Sequence, residues 1–269
     1  MTTATQKRRT AVITGAANGI GRAIAATLAA GAWTVVGVDR DAGALSQVLG
    51  RINGRPVIGD VRDPRVLAEA RREAESMGQL TAWVNNAGIV RLAPLHLMEP
   101  AAIDEVLDTD LRAVVFGARE ALQSFLAHGV PGSIVNMSSV HASGSFPGYG
   151  AYDTAKGGLE ALTRYICVEY GHLGIRCNAV APGAVNTSIV PKHTGGPAPA
   201  SFSTDATELS PMRRLSEPEE IAAVVAFLIE GASSSINGHS LMVDNGMSAR
   251  HYAFPPDETV FFRGRAAVK

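Results

Sequence analysis

Tyr152 and Lys156 stand four residues apart in GYGAYDTAKGG, residues 148–158, where a helical stretch begins. Residues at that spacing share one face of a helix, with Cβ atoms about 6 Å apart. A phenol beside an ammonium is a candidate proton-transfer pair, because the cation favours the phenolate. A free phenol titrates at about 10, too high for a base near neutral pH. At an effective dielectric of about 20, a unit charge about 4 Å away contributes roughly 4 kcal/mol, or about three pK units before desolvation. Taken alone, the two residues read equally well as an aromatic and a charge on a solvated turn.

A second constellation lies near the start of the chain. TGAANGIG, residues 14–21, follows the apolar run TAVIT and opens a helical stretch. Gly15, Gly19 and Gly21, with Asn18 and Ile20 between them, allow a tight turn and a close backbone approach to a pyrophosphate at the helix N-terminus. Glycines also end strands for steric reasons, so the turn alone is weak. Asp39 ends the next β-rich run, WTVVGV, near the offset of about twenty residues at which dinucleotide folds place an acid on the adenosine ribose. A carboxylate there accepts from the ribose hydroxyls and repels a 2′-phosphate, which favours NAD over NADP. Arg40, beside it, is the counter-indication.

The elements that must position these groups alternate along the chain. Candidate strands fall at 10–14, 33–38, 56–60, 80–84, 133–137, 175–180 and 239–243, and candidate helices at 19–31, 41–50, 64–77, 99–128, 152–172 and 218–230. Strand then helix, repeated, predicts a doubly wound α/β fold: a parallel seven-stranded sheet with helices on both faces. Asp63-Pro64 and Glu217-Pro218 each place an N-cap before a proline at the first helical position, and Gly78 and Gly231 mark the ends. The length suits one domain over 1–249. A Pro-, Gly- and Ser-rich stretch at 188–211 is expected to form a substrate flap. Residues 250–269, with Phe254, Phe261 and Phe262, are expected to pack on the body or on a neighbouring subunit.

The chain is 46% hydrophobic and 18% charged, enough for a large core. Lys and Arg number 24 against 25 Asp and Glu, so no electrostatic footprint for nucleic acid exists. No apolar run reaches the roughly 20 residues of a membrane span, and the short run after KRR is no signal-peptide core. A cytoplasmic location is expected. Cys167 and Cys177, the only cysteines, exclude a disulfide scaffold and a structural zinc site, and no metal is expected.

Taken in order, the motifs resemble those of the short-chain dehydrogenase/reductase family, in its compact NAD-dependent branch, from about Thr10 to Asn245. TGAANGIG resembles the family's TGxxxGxG cofactor turn. Asp60-Val61 resembles its adenine contact, and NNAG at 85–88, with Asn86, Ala87 and Gly88, its fourth-strand motif. IVNMSS at 134–139, YDTAK at 152–156 and IRCNAVAPGAVNT at 175–187 resemble its serine element, YxxxK motif and nicotinamide-side segment. The resemblance implies a single Rossmann-type domain and an oxidoreductase exchanging a hydride between NAD(H) and a small or medium secondary alcohol or ketone. By similarity Ser139, 13 residues before Tyr152, Tyr152 and Lys156 are catalytic. Tyr152 is implied as acid/base, Lys156 as its activating cation and ribose ligand, and Ser139 as donor to the substrate oxygen. Val185 and Thr187 would bind the nicotinamide carboxamide, with Pro182 and Gly183 shaping that loop.

One departure bears on the chemistry. Where the family usually has an asparagine holding a relay water, this chain has Asp110 in DTDLRAVVFG. Asp110 is expected to keep the relay, hold Lys156 protonated and shift the pH optimum. His141, two residues past Ser139, falls in the loop expected to line the substrate pocket, where it would donate to a polar substituent; a lone loop histidine is more often solvated. A 3-oxoacyl thioester is an alternative substrate, although the flap offers only Lys192 and His193 to grip a carrier phosphate. A non-catalytic NAD(H)-binding sensor or scaffold is an alternative of another class. The resemblance also implies a homotetramer or homodimer.

Overall fold

A computed structural model of the chain describes residues 8–187 and 207–250. Seven parallel strands form one sheet in the spatial order β3-β2-β1-β4-β5-β6-β7. They are β1 (Arg9–Thr14), β2 (Thr34–Asp39), β3 (Arg55–Ile58), β4 (Gln79–Asn85), β5 (Ser133–Met137), β6 (Arg176–Pro182) and β7 (Ser240–Val243). The helices are α1 (Gly19–Ala30), α2 (Ala42–Gly50), α3 (Pro64–Met77), α4 (Pro100–Leu107), α5 (Ala113–His128), α6 (Gly150–Tyr170) and α7 (Pro218–Ile229). Among the described residues, no helix is long and apolar enough to cross a membrane.

The pleat divides the core in two. Ala11, Ile13, Val35, Val84 and Val180 point to the face covered by α1, α2 and α7, where Ile24, Leu28, Leu45, Leu49, Val225 and Leu228 meet them. Their alternates Val12, Val36, Val38, Trp83 and Ile134 point to the face covered by α3, α5 and α6, with Leu67, Phe125 and Ile166. Strands buried on both faces need apolar residues at every position, which is why these read as continuous rather than alternating runs. Asp63 caps α3 by accepting from the Arg65 N–H, and Glu217 and Glu220 close a reciprocal capping box on α7.

The predicted architecture holds, and the differences are local. β3 stops at Ile58, leaving Gly59 and Asp60 beyond the strand, and β6 runs on through Pro182, which pairs with Val243. α6 opens at Gly150, two residues before the expected start, so Tyr152 sits in its first turn. α7 ends at Ile229, and Gly231 opens a 3-10 turn. The helix expected over 99–128 is interrupted by a π-helical turn, Asp108–Arg112, in which Ala113 N–H bonds to Asp108 O. Most of the expected flap, 188–206, and the C-terminal extension, 251–269, lie outside the described residues.

Candidate active site

Parallel pairing brings Thr14, Asp39, Asn85, Met137 and Pro182 to the same edge of the sheet, each the last residue of its strand. The order reverses between β1 and β4, so the crevice of this doubly wound sheet opens at that edge, beside the glycine turn.

The turn is held in place from below. Asn86 Nδ2 donates to Thr14 O and Gly15 O at 2.9 and 3.1 Å, while Thr14 Oγ1 accepts from Asn86 N and Ala87 N at 2.9 and 3.0 Å. The Asn86 side chain is thus committed to building the cradle. Gly15 has φ 67°, and a Cβ there would lie 2.9 Å from Ala87 Cα; a Cβ on Gly21 would strike Gly15 O. Asn18 begins α1 without a side-chain cap, and the first turn, with Gly19, Ile20 and Gly21, carries no acid. Thr187 lies beside this turn, its methyl 3.4 Å from the Cβ position of Gly19. Uncapped N–H groups and an unopposed helix dipole fit a pyrophosphate.

The other predicted cofactor residues surround this turn. Asp39 Oδ2 accepts from Ala17 N at 3.1 Å and Oδ1 from Asp41 N at 3.1 Å, so the carboxylate is fixed beside the turn while Arg40 is exposed. Asp60 is clamped by Arg62, with Nη2 to Oδ2 at 2.6 Å, and this guanidinium holds its carboxyl below the usual range. Val61 next to it is buried. At the far side, Gly183 N donates to Val243 O, its Cα packed against Asp244; Val185 bridges to Ser216, and Thr187 N donates to Val185 O at 2.8 Å.

Ser139, Tyr152 and Lys156 meet beyond the end of β5. Lys156 Nζ, fully interior, donates to Met137 O at 3.0 Å and lies 5.2 Å from the centre of the Tyr152 ring. Asp110 Oδ2 is 3.1 Å from the same Nζ. Asp110 Oδ1 accepts from Ile89 N at 2.8 Å, and Gly88 makes room for it, since a Cβ there would lie 2.9 Å from Oδ2. Oδ2 has no aligned hydrogen-bond donor, so its contact with Lys156 is chiefly Coulombic. His141 Nδ1 is 2.7 Å from Asp153 Oδ1. Its ring packs on Tyr149, Phe146 and Tyr152, with centroids 4.3, 4.8 and 5.3 Å away.

Comparisons with known proteins show the family. A family model described as enoyl-(acyl carrier protein) reductase matches residues 15–248. The chain is 32% identical over 258 residues to 3β-hydroxysteroid dehydrogenase 1 of Eggerthella lenta, covering 90% of this chain and 94% of that one. It is 40% identical over 247 residues to cis-4-hydroxycyclohexanecarboxylate dehydrogenase of Sinomonas cyclohexanicum, with 90% and 97% covered. A solved structure of a short-chain dehydrogenase/reductase family protein superposes with a TM-score of 0.79 at 33% identity, covering 90% of this chain and 97% of that one. The chain belongs to the short-chain dehydrogenase/reductase family. It is an oxidoreductase of Rossmann type, and the family works with nicotinamide cofactors.

The electrostatics of this short-chain dehydrogenase/reductase correct one expectation. Burial raises the Tyr152 phenol; Lys156 pulls it down, as expected, Asp110 pushes it up again and the Ser139 hydroxyl lowers it, and the net is a rise rather than the expected fall. Desolvation and the nearby carboxylate together outweigh the ammonium. Burial also works against the Lys156 charge, but Asp110 and then Tyr152 outweigh it, and the pKa of Lys156 is raised. Asp110 is raised by burial against the pull of Lys156 and the Ile89 N–H.

His141 is not the solvated loop residue that base expectation favours. Its side chain is 13% exposed and that of Asp153 15%. Asp153 escaped the sequence reading because the pair spans 12 positions and nothing local marks it. The one available signal was an acid directly after the YxxxK tyrosine.

Proposed function

We propose that this protein transfers a hydride between NAD(H) and a small or medium secondary alcohol or its ketone. The observation that carries the reading is Tyr152 hydrogen-bonded to the Ser139 hydroxyl with Lys156 under its ring, beyond the end of β5 and alongside a glycine cradle whose helix has no side-chain cap. The dinucleotide, when bound, supplies the hydride acceptor or donor. In oxidation, Tyr152 in its phenolate form takes the hydroxyl proton of the substrate as the carbinol C–H bond breaks. Ser139 donates a hydrogen bond to the same oxygen, which carries charge in the transition state. Lys156, anchored by Met137 O, keeps a cation under the phenol and would hold the nicotinamide ribose when the dinucleotide is bound. Asp110 holds that cation in its charged form. In reduction, Tyr152 returns the proton.

The names of the relatives support a hydroxyl on a saturated ring as substrate, and Asp39 supports NAD over NADP. The description of the matching family model favours a second reading, an acyl thioester reductase. Appearance or loss of NADH absorbance decides between them when ring alcohols, ring ketones and acetoacetyl-CoA are offered with NAD(H) and NADP(H). Turnover of ring alcohols with NAD is expected. Activity confined to the thioester would replace the reading, and none with any substrate would favour a non-catalytic sensor or scaffold.

Assembly as a homodimer or homotetramer belongs to the same proposal. The α5–α6 face carries a groove of about 260 Å³ lined by Val115, Leu122, Leu126, Leu162, Tyr165 and Tyr170. Apolar surface of that kind marks an association face.

A further inference from the structure

His141 and Asp153 form a largely buried imidazole–carboxylate pair that hydride transfer itself does not use. The histidine sits on the turn Val140–Ala142, directly after Ser139, whose hydroxyl accepts from the His141 N–H. The aspartate follows Tyr152 on α6. The pair therefore brackets the two groups proposed to hold the reacting oxygen.

The chemistry of the pair sets what the ring presents. A carboxylate can only accept, so the short contact to Asp153 Oδ1 puts a hydrogen on Nδ1. The ring is walled by Tyr149 and Phe146, and it meets the Tyr152 ring edge-on, with planes at 82°. A second proton, on Nε2, is opposed first by burial and also by the Lys156 ammonium. Asp153 favours it but does not prevail, so the pKa lies below that of an ordinary histidine. The facing titratable groups are Asp153, Tyr149, Tyr152 and Lys156. Nε2 is thus left as an acceptor, the contact with Asp153 being made through Nδ1.

We infer that His141 is a specificity-determining residue whose Nε2 accepts a hydrogen bond from a hydroxyl on the carbon next to the reacting carbinol, with Asp153 as the residue that positions the ring. Vicinal diols and the matching hydroxyketones are then the preferred substrate class. The inference rests on Ser139 and Tyr152 holding the reacting oxygen. The Tyr152 ring centre lies 5.3 Å from the imidazole centre, so a substrate whose reacting oxygen is held by Ser139 and Tyr152 would bring its neighbouring carbon beside the imidazole. A carboxylate in the same place would face a lone pair and be disfavoured.

The test compares kcat/KM for cyclohexanol, cis- and trans-1,2-cyclohexanediol and 2-hydroxycyclohexanecarboxylate. In the unaltered protein one diol isomer should exceed cyclohexanol by about tenfold, the value of one hydrogen bond. In His141→Phe, which keeps an aromatic ring but no acceptor, that ratio should fall to about one. In Asp153→Ala it should fall likewise, while Asp153→Asn, whose amide oxygen still accepts from Nδ1–H, should keep most of it. The Asn/Ala pair decides the matter if His141→Phe does not fold. If no ring alcohol is turned over with either dinucleotide, the proposed function fails. The same ratio is then read as equilibrium affinity for the NADH-saturated protein. A ratio near one in the unaltered protein, a ratio unmoved by His141→Phe, or preference for the hydroxy acid over the diol would overturn the inference.

Discussion

Asp110 Oδ2 lies 3.1 Å from Lys156 Nζ with both groups shut away from water, so the cation beneath Tyr152 is already half-compensated by the protein itself. Burial, then Asp110, hold the phenol's pKa above its ordinary value against the pull of Lys156. With the phenolate as the proposed base, oxidation should rise with pH towards that raised pKa. Reduction needs the protonated phenol; it should be sustained below the same pKa and lost above it. Asp110→Asn removes a negative charge and should move the rising limb of the oxidation profile to lower pH by about one to two units. Superimposable pH–rate profiles for the two proteins would remove Asp110 from the electrostatics of the site.

Stability gives an independent reading of the same contact. Asp110→Ala leaves the Lys156 ammonium buried and unpaired, which costs about 3–5 kcal/mol. Asp110→Asn keeps an acceptor for the Ile89 N–H and should cost less. Denaturant midpoints measure the difference, and equal midpoints for the Ala variant and the parent would mean that Lys156 releases its proton or reaches water.

Tyr152→Phe removes the proton acceptor without touching the glycine turn. Turnover should fall by about 10²–10⁴, the usual share of general acid–base catalysis, with NADH binding unchanged by fluorescence titration. Substantial residual activity would mean that another group moves the proton.

Much of this site was legible because local chemistry writes it. Gly15 and Gly21 must be glycines where backbones touch, and Tyr152 and Lys156 fall four residues apart on α6 with Ser139 13 residues before Tyr152, just past β5. The parallel sheet was legible because strands buried on both faces need unbroken apolar runs. What escaped was non-local or periodicity-neutral. One π turn inserts a residue without disturbing the burial of Val106 before it or Ala113 and Val114 after it, so the 3.6-residue pattern reads through. That turn takes Thr109 and Asp110 inward together; the pairing of Asp110 with Lys156 was expected, whereas its contact with Ile89 shows only in the packed structure. The net direction of the Tyr152 shift escaped for the same reason, since spacing gives the nearby cation but not the depth of burial.

Asp39 should decide the dinucleotide. Its Oδ2 also accepts from Ala17 N, so Asp39→Asn is the informative variant: the amide oxygen can still accept that bond while the charge is gone. A 2′-phosphate would no longer meet a like charge, and the NAD-to-NADP ratio of kcat/KM should fall by at least about tenfold. Steady-state kinetics with both dinucleotides measure it; an unaltered ratio would place the discrimination elsewhere.

The outer face of α5 and α6 should be an interface between copies of the chain. Tyr165 is 55% exposed, Leu126 46% and Val115 41%, and all three line the groove between these two neighbouring helices. An isologous two-fold contact would bury these side chains on both partners at once. Sedimentation of the unaltered protein should therefore give a dimer or a tetramer. Leu126→Asp combined with Tyr165→Asp should yield a smaller species, because each two-fold contact would then bury four uncompensated carboxylates. The substituted positions are partly exposed, so the monomer has no reason to lose its fold, and circular dichroism should be unchanged. A monomeric parent, or a double variant that sediments like the parent, would show that this face does not join subunits.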